Sequence, residues 1–280
     1  MPVLTRSHAM ETHIVRRLSG SLDLTPDGAP ILTHCSRLLP VRRGGEPAML
    51  KIAMEAEEKL GFILMRRWDG DGAARVLARE GDALLLERAQ GNRSLAEMAR
   101  TGQDEEATRI LCRATAKLHT PRAVPPPPSL LPLSEWFAAL EPAAKAHGGI
   151  LLHSEQTARD LLADQRDITP LHGDIHHDNI LDFGERGWLA IDPKRLIGER
   201  GFDYANIFRD PDYAVATAPG YFERRLEIVA EEAGLPRQRL LRWILAWAGL
   251  SAAWFIGDGM WEEAKTDFFV AEKAAAMLEA

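Results

Sequence analysis

Leu171-His172-Gly173-Asp174-Ile175-His176-His177-Asp178-Asn179-Ile180-Leu181 gathers six side chains able to hold protons or metals between two apolar ends. Eleven residues beyond Leu181, a second acid closes an apolar run, Leu189-Ala190-Ile191-Asp192, and Pro193-Lys194 follow. An acid that ends such a run is expected at a strand end, facing a cleft. Spacing alone allows two readings, a His/Asp metal cage of the hydrolase type or a phosphoryl-transfer loop.

Phosphoryl transfer needs a carboxylate beside the acceptor hydroxyl, oxygen ligands for Mg²⁺, and a cation on the phosphates that stay behind. Asp174, then Asn179, then Asp192 supply a base candidate and two hard oxygen donors in that order, and Lys51 in Met49-Leu50-Lys51-Ile52 supplies the cation. A zinc site would use imidazoles as ligands. His176 and His177 are adjacent and cannot both face one metal from an extended segment, which weakens the cage.

The HGDIHHDN loop at 172–179 and the IDPKRLIGERGFDYANIF stretch at 191–208 resemble the aminoglycoside phosphotransferase family, which has a protein-kinase-like fold. Within it they are most similar to the streptomycin 6-phosphotransferase and hydroxyurea-kinase branch. The resemblance implies an α+β fold of two lobes, with residues 1–89 a small β-rich nucleotide-binding lobe and residues 90–280 a larger helical lobe carrying the catalytic loop and the acceptor site. It further implies an ATP- and Mg²⁺-dependent O-phosphotransferase, a small-molecule kinase acting on an aminoglycoside or hydroxyurea. Asp174 would be the catalytic base, Asn179 and Asp192 the metal ligands, and Lys51 the phosphate-binding lysine. Glu58, with Glu57 next, would pair with Lys51, and backbone groups of Glu87 and Ala89 in the hinge would meet adenine. The chain departs from kinase patterns in two places. It has Asp192-Pro193-Lys194 where protein kinases have DFG, and Thr33-His34-Cys35-Ser36-Arg37 in place of a glycine-rich loop. GTP stays open as an alternative donor. A metabolic kinase on the same fold and a nucleotide-binding module without catalysis are the rival functions.

Outward from these motifs, the pattern predicts strands over 48–53 and 82–87, a helix over 55–68 between them, and a hairpin turn at 42–47. Further helices are expected over 101–119, 133–146, 154–164, 220–233 and 236–255, with Pro125 to Pro128 as an extended spacer. The apolar Trp243–Gly257 stretch is fifteen residues, shorter than the twenty or so of a membrane span, and reads as a buried helix. His172 is expected to bond backbone, Asp203 to anchor the catalytic loop, and His119 to cap its helix. His176 and His177 stay between a surface pair and a substrate contact.

The acceptor site is expected to be an acidic pocket. Trp254-Phe255-Ile256-Gly257-Asp258-Gly259-Met260-Trp261-Glu262-Glu263 places acids beside aromatic rings, so Asp258 and Glu262 become candidate substrate ligands. The alternative for Asp258 is the N-cap of the following helix. Composition agrees with such a protein. The 280 residues are 46% apolar and 27% charged, enough for a sizeable core. A net charge of −7 excludes a dedicated nucleic-acid binder, which would carry a basic surplus. Two cysteines are too few for a disulfide framework, and the first twenty residues lack the apolar core of a secretory signal, so a cytoplasmic setting is expected, while the small-molecule partner is what the resemblance implies.

Overall fold

The computed structural model describes residues 24–33, 36–54 and 58–280, with the side chain of Glu58 outside the description. Strands β1 (Leu24–Pro26), β2 (Ile31–Leu32), β3 (Ser36–Arg43), β4 (Glu46–Ala53), β5 (Val76–Glu80) and β6 (Ala83–Glu87) form one antiparallel sheet. Its order is β1-β3-β4-β6-β5, with β2 on β3. Gly44 and Gly45 close the β3–β4 hairpin with φ of +56° and +89°. Two consecutive positive φ values give a turn whose twist matches that of the strands, and glycine adopts them without a Cβ clash. Side chains alternate along β4. Ala48 and Leu50 join Val41 and Leu85 in a small core on one face. Met49 and Lys51 fall on the other face and line the cleft.

The helix between β4 and β5 covers only Phe62–Trp68, behind a 3₁₀ turn at Glu58–Leu60. From there the chain runs down to the rest of the molecule. Ala190 N–H donates to Gly72 O and Ala74 N–H to Ala190 O, both at 2.9 Å. Ala190 closes β10 (Trp188–Ala190), the antiparallel partner of β9 (Ile180–Asp182). Beside this hairpin, β8 (Ile168–Leu171) pairs with β11 (Leu196–Glu199), which also holds β7 (Leu131–Pro132) in parallel. The 172–179 loop therefore leaves β8 and enters β9, and Asp192 follows β10. Everything else is mainly helical, and the fold is the expected α+β, kinase-like arrangement of two lobes.

Several helices start or stop where local chemistry overrides periodicity. Positive φ at Gly102 delays the expected 101–119 helix to Asp104–Leu118. The expected 133–146 helix is broken into Leu133–Trp136, a 3₁₀ turn at Phe137–Ala139, and Leu140–His147. Pro142 has no N–H for the carbonyl four residues back, so it sits in the first turn of the last piece. Helix Ile150–Ala163 begins four residues earlier than expected, directly after Gly148-Gly149, both of positive φ. Helices Tyr221–Ala233 and Ala264–Glu279 complete the periphery.

The central Arg237–Gly257 helix is long and apolar enough by composition to cross a membrane, yet most of it is buried against its neighbours. It crosses helix Ile150–Ala163 so closely that a Cβ on Gly249 would lie 2.2 Å from Ser154 Cβ. Two buried arginines tie this lobe together. Arg239 Nε and Trp243 Nε1 donate to Glu199 Oε1 at 2.9 and 2.7 Å. Arg225, 1% exposed, donates from Nε to Asp104 Oδ2 at 3.0 Å and from Nη1 to Ile207 O and Asp210 O at 2.7 Å. Removing one member of such a pair leaves an uncompensated charge in the interior. Asp104→Ala should therefore lower unfolding stability by about 3–5 kcal/mol, read as a shifted urea midpoint, and Arg225→Met should cost as much, because it strands the buried Asp104 carboxylate and leaves the Ile207 and Asp210 carbonyls without their donor.

Candidate active site

The end of β8 is fixed before any reacting group is reached. Asp203, in the 3₁₀ segment Arg200–Phe208, accepts the N–H of Gly173 on Oδ1 at 2.7 Å and the N–H of His172 on Oδ2 at 2.8 Å. His119 Nε2 donates to the same Oδ2 at 2.8 Å. His119 thus stands at the C-cap position just after Leu118, but its imidazole does not bond that helix end; it reaches the buried acid instead. His172 binds backbone on both ring nitrogens. Nε2 donates to Ile191 O at 2.8 Å, and Nδ1 accepts Asp174 N–H at 3.2 Å. Those partners require the neutral ring with its proton on Nε2, and burial, the dominant cause, pushes its pKa below the usual histidine value.

Asp174 emerges from this support with both oxygens held. Asn206 Nδ2 donates to Oδ1 at 3.0 Å. Asn179 Nδ2 donates to the Asp174 carbonyl at 2.9 Å and to Oδ2 at 3.3 Å. Lys194 Nζ lies 3.7 Å from Oδ2, and His176 Nε2 lies 4.0 Å from it. Across the cleft Lys51, 6% exposed, forms an ion pair with Asp192. Ile191 N–H donates to Asn179 O at 2.9 Å, so Asn179 and Asp192 are joined through adjacent main chain. The structure thus brings Lys51, Asp174, Asn179 and Asp192 into one cleft.

Two cavities open on that cleft. The first, about 400 Å³, is lined by Met49, Lys51, Leu86, Glu87, Ala89, Leu181 and Asp192. Its lining combines apolar side chains with Lys51 and Asp192, the two kinds of surface that a nucleotide base and its phosphates require. The Glu87 carboxylate does not enter it but pairs with Arg186, and Glu87 N–H donates to Arg75 O at 2.9 Å. The expected partner of Lys51 lies outside the described residues, Glu57 entirely and Glu58 in its side chain. The second cavity, about 920 Å³, is lined by Asp174, Lys194, Trp136, His147, Trp247, Trp254 and Asp258. Trp136 and Trp254 meet edge to face at 5.2 Å.

Asp258 and Glu262 separate. Asp258 is the C-terminal cap residue of the central helix, its N–H donating to Trp254 O, and the next helix starts only at Ala264. The N-cap alternative is therefore excluded. Glu262 pairs with Lys265 and lines a different cavity, with Arg209, Asp210 and Asp212. A turn at Gly259, φ +75°, and the turn residues 261–263 carry it away from Asp174. Residues that spacing did not single out are Asn206 and Lys194. Both lie inside the 191–208 stretch, and neither carries a local signal of its contact with Asp174.

The metal-cage reading fails on placement. Among the described residues no group of three or more His, Cys, Asp or Glu side chains is placed to hold a metal ion. His172 and His177 are instead buried in the loop.

The fold and this set of side chains are those of a kinase-like small-molecule phosphotransferase, with Asp192 lining one cavity and Asp174 the other. Residues 22–259 match the family described as aminoglycoside/hydroxyurea antibiotic resistance kinase, and the chain belongs to that family. It is 55% identical over 241 residues to a streptomycin 3″-kinase of Klebsiella pneumoniae, covering 84% of this chain and 90% of that one. A streptomycin 6-kinase of Streptomyces griseus is 32% identical over 278 residues, 94% of this chain and 88% of that protein. Among solved structures, an aminoglycoside phosphotransferase in ternary complex with ADP and hygromycin B superposes with a TM-score of 0.64 at 14% identity, over 94% of this chain and 97% of that one. Kinase relatives imply ATP as the donor.

His177, 1% exposed, has no hydrogen-bond partner on either ring nitrogen. Burial first, then nearby Arg225, His176 and Arg100, hold its pKa well below the ordinary value. The native ring stays neutral while the unfolded one binds a proton below about pH 6.5, so stability falls as pH drops. His177→Leu should remove this, flattening the stability loss by about 2 kcal/mol at pH 5 in denaturant titrations at pH 7 and pH 5.

Proposed function

We propose that the chain transfers the γ-phosphoryl group of ATP to the 3″-hydroxyl of a streptomycin-type aminoglycoside. One observation carries this reading, the 55% identity that spans 90% of a streptomycin 3″-kinase. In it, residues 1–89 bind nucleotide and residues 90–280 bind acceptor, in the cytoplasm where ATP is made. The adenine lies along the Glu87–Ala89 edge of the donor cavity, and Lys51 meets the phosphates that stay behind. Asp174 takes the proton of the acceptor hydroxyl, oriented by Asn206 and Asn179. Asn179 and Asp192 suit Mg²⁺ as hard oxygen donors. The Asn179 amide nitrogen is engaged on Asp174, which leaves its oxygen as the coordinating atom. Bound Mg²⁺ would neutralise charge on the phosphates. Positioning then does most of the remaining catalysis.

Streptomycin carries guanidinium groups. The acceptor cavity offers them the Asp258 carboxylate and the faces of Trp136, Trp247 and Trp254. Hydroxyurea, the substrate of other family members, is a few atoms in size and would leave a cavity of about 920 Å³ mostly empty. A module without catalysis is disfavoured because the base, both oxygen donors and the lysine are all in place.

The purified protein should consume ATP on addition of streptomycin, and phosphorus–proton coupling in the product should place the phosphate at C3″. A product phosphorylated at C6, or turnover with hydroxyurea alone, would overturn the assignment. In the same assay Asp258→Ala should raise KM for streptomycin and leave KM for ATP unchanged.

Asp174→Asn should bind nucleotide nearly normally while kcat falls roughly 10²- to 10⁴-fold. Asp192→Ala should instead lose magnesium-dependent nucleotide binding, measured by titration with and without the ion.

A further inference from the structure

Lys194 links the linings of the two cavities, two residues beyond Asp192 in the chain and beside Asp174 in space. Asp192 lines the donor cavity beside Lys51, whereas Lys194 lines the acceptor cavity beside Asp174. Its main chain is pressed onto the catalytic loop: Lys194 N–H donates to His172 O at 2.7 Å. A Cβ on Gly173 would lie 3.0 Å from Lys194 Cβ, so the approach depends on the glycine. The ammonium ends 3.7 Å from Asp174 Oδ2, with the side chain only 20% exposed. Lys51, the cation of the donor side, is engaged with Asp192.

A phosphoryl group passing from donor to acceptor must cross this junction, and during transfer its charge spreads over three equatorial oxygens. Fixed cations aimed at developing charge are worth most in a cleft that excludes water.

We propose that Lys194 is a catalytic residue whose ammonium binds the equatorial oxygens of the phosphoryl group in flight. The proposal rests on Asp174 as the base in the reading above. The acceptor oxygen forms its bond to the γ-phosphorus. The bond from that phosphorus to the bridging oxygen breaks, and the bridging oxygen leaves on ADP with the electron pair. The acceptor proton passes to an Asp174 oxygen, and Lys194 keeps its protons throughout. Before transfer the ammonium is paired with the Asp174 carboxylate. As the proton arrives, that carboxylate loses its charge, and the ammonium is released to the phosphoryl oxygens when their charge is greatest. Proton transfer and phosphoryl stabilisation are thereby coupled through one side chain.

The test compares Lys194→Met and Lys194→Arg with the wild type in two measurements. Steady-state kinetics are taken across pH 6 to 9. Separately, nucleotide binding is titrated with ADP and magnesium, with and without aluminium fluoride, a stand-in for the transferring phosphoryl group that needs no acceptor. Lys194→Met should lower the plateau kcat by about 10²- to 10³-fold, leave both KM values near wild type, and abolish the tightening of ADP by aluminium fluoride. Lys194→Arg should recover part of each. Loss of rate at low pH with a full plateau at high pH would overturn the proposal, since Lys194 would then only keep Asp174 charged. A raised acceptor KM with intact kcat would overturn it in favour of an acceptor anchor, and unaltered aluminium fluoride tightening would overturn it outright. Because that arm contains no acceptor, a wild type inactive on streptomycin would sink the proposed function and leave the Lys194 result readable.

Discussion

The cleft is referenced to one buried carboxylate, Asp203. Its side chain is fully buried and accepts three hydrogen bonds, from His119 in one segment and from the adjacent His172 and Gly173 in another. An acid so deep is tolerable only when donors replace its water. The donors that do so are also those that aim the site. Gly173 and His172 immediately precede Asp174, and the His172 ring reaches Ile191 O, immediately before Asp192. The positions of the proposed base and of the proposed metal acid are therefore set by a residue that lines neither cavity. Loss of Asp203 would leave two backbone N–H groups and a histidine without an acceptor, so the error would reach both acids together.

The acceptor walls are fixed by a second set of buried charges. Glu199 ends β11 and receives Arg239 and Trp243 from the central helix. The Arg225 guanidinium gathers Ile207 O and Asp210 O, just beyond Asn206. The helix that ends at Asp258 and the segment that carries Asn206 are thus both tied to the strand-and-loop unit bearing Asp174. Buried ion pairs of this kind add little net stability against apolar replacements, but losing one partner is severe. Their effect here is positional: they give a mostly apolar lobe one register in which Asp258 and Asp174 share a cavity.

Legibility in the sequence followed the range of each interaction. That Asp174, Asn179, Asp192 and Lys51 would share one cleft was readable because phosphoryl transfer would need those types in that order, and the 172–179 and 191–208 motifs are specific together. Glu262 was misplaced because spacing near Gly257 and Gly259 gives no direction, and the turn after the helix sends it to another cavity. His119 was assigned to a cap because its true partner lies 84 residues away, where no local pattern reaches. Asn206 and Lys194 were inside a quoted motif, yet their contact with Asp174 exists only once β8, β10 and the 3₁₀ segment are brought together. Helix edges failed for a simpler reason, that glycines of positive φ and Pro142 outweigh apolar periodicity.

The turn at Asp192 shows how strain and function meet. Asp192 holds φ of +59°, one of few non-glycine residues in the left-handed region among those described. For an L-residue that conformation costs about 1–2 kcal/mol. Glycine would adopt it freely but could bring no carboxylate to Lys51. The strain is offset locally on both sides, by Ile191 N–H on Asn179 O before the turn and Lys194 N–H on His172 O after it. It is offset across the cleft by the Lys51 ion pair. The turn also lets side chains two positions apart serve opposite cavities, Asp192 with the donor and Lys194 with the acceptor. Farther back, Ala190 is hydrogen-bonded to Gly72 and Ala74 of the N-terminal lobe, so the strand feeding this turn belongs to both lobes. The separation of Lys51 from Asp192 is then set by continuous backbone pairing behind the cleft, and a substrate meets a preformed line of alternating charge: Lys51, Asp192, Lys194, Asp174.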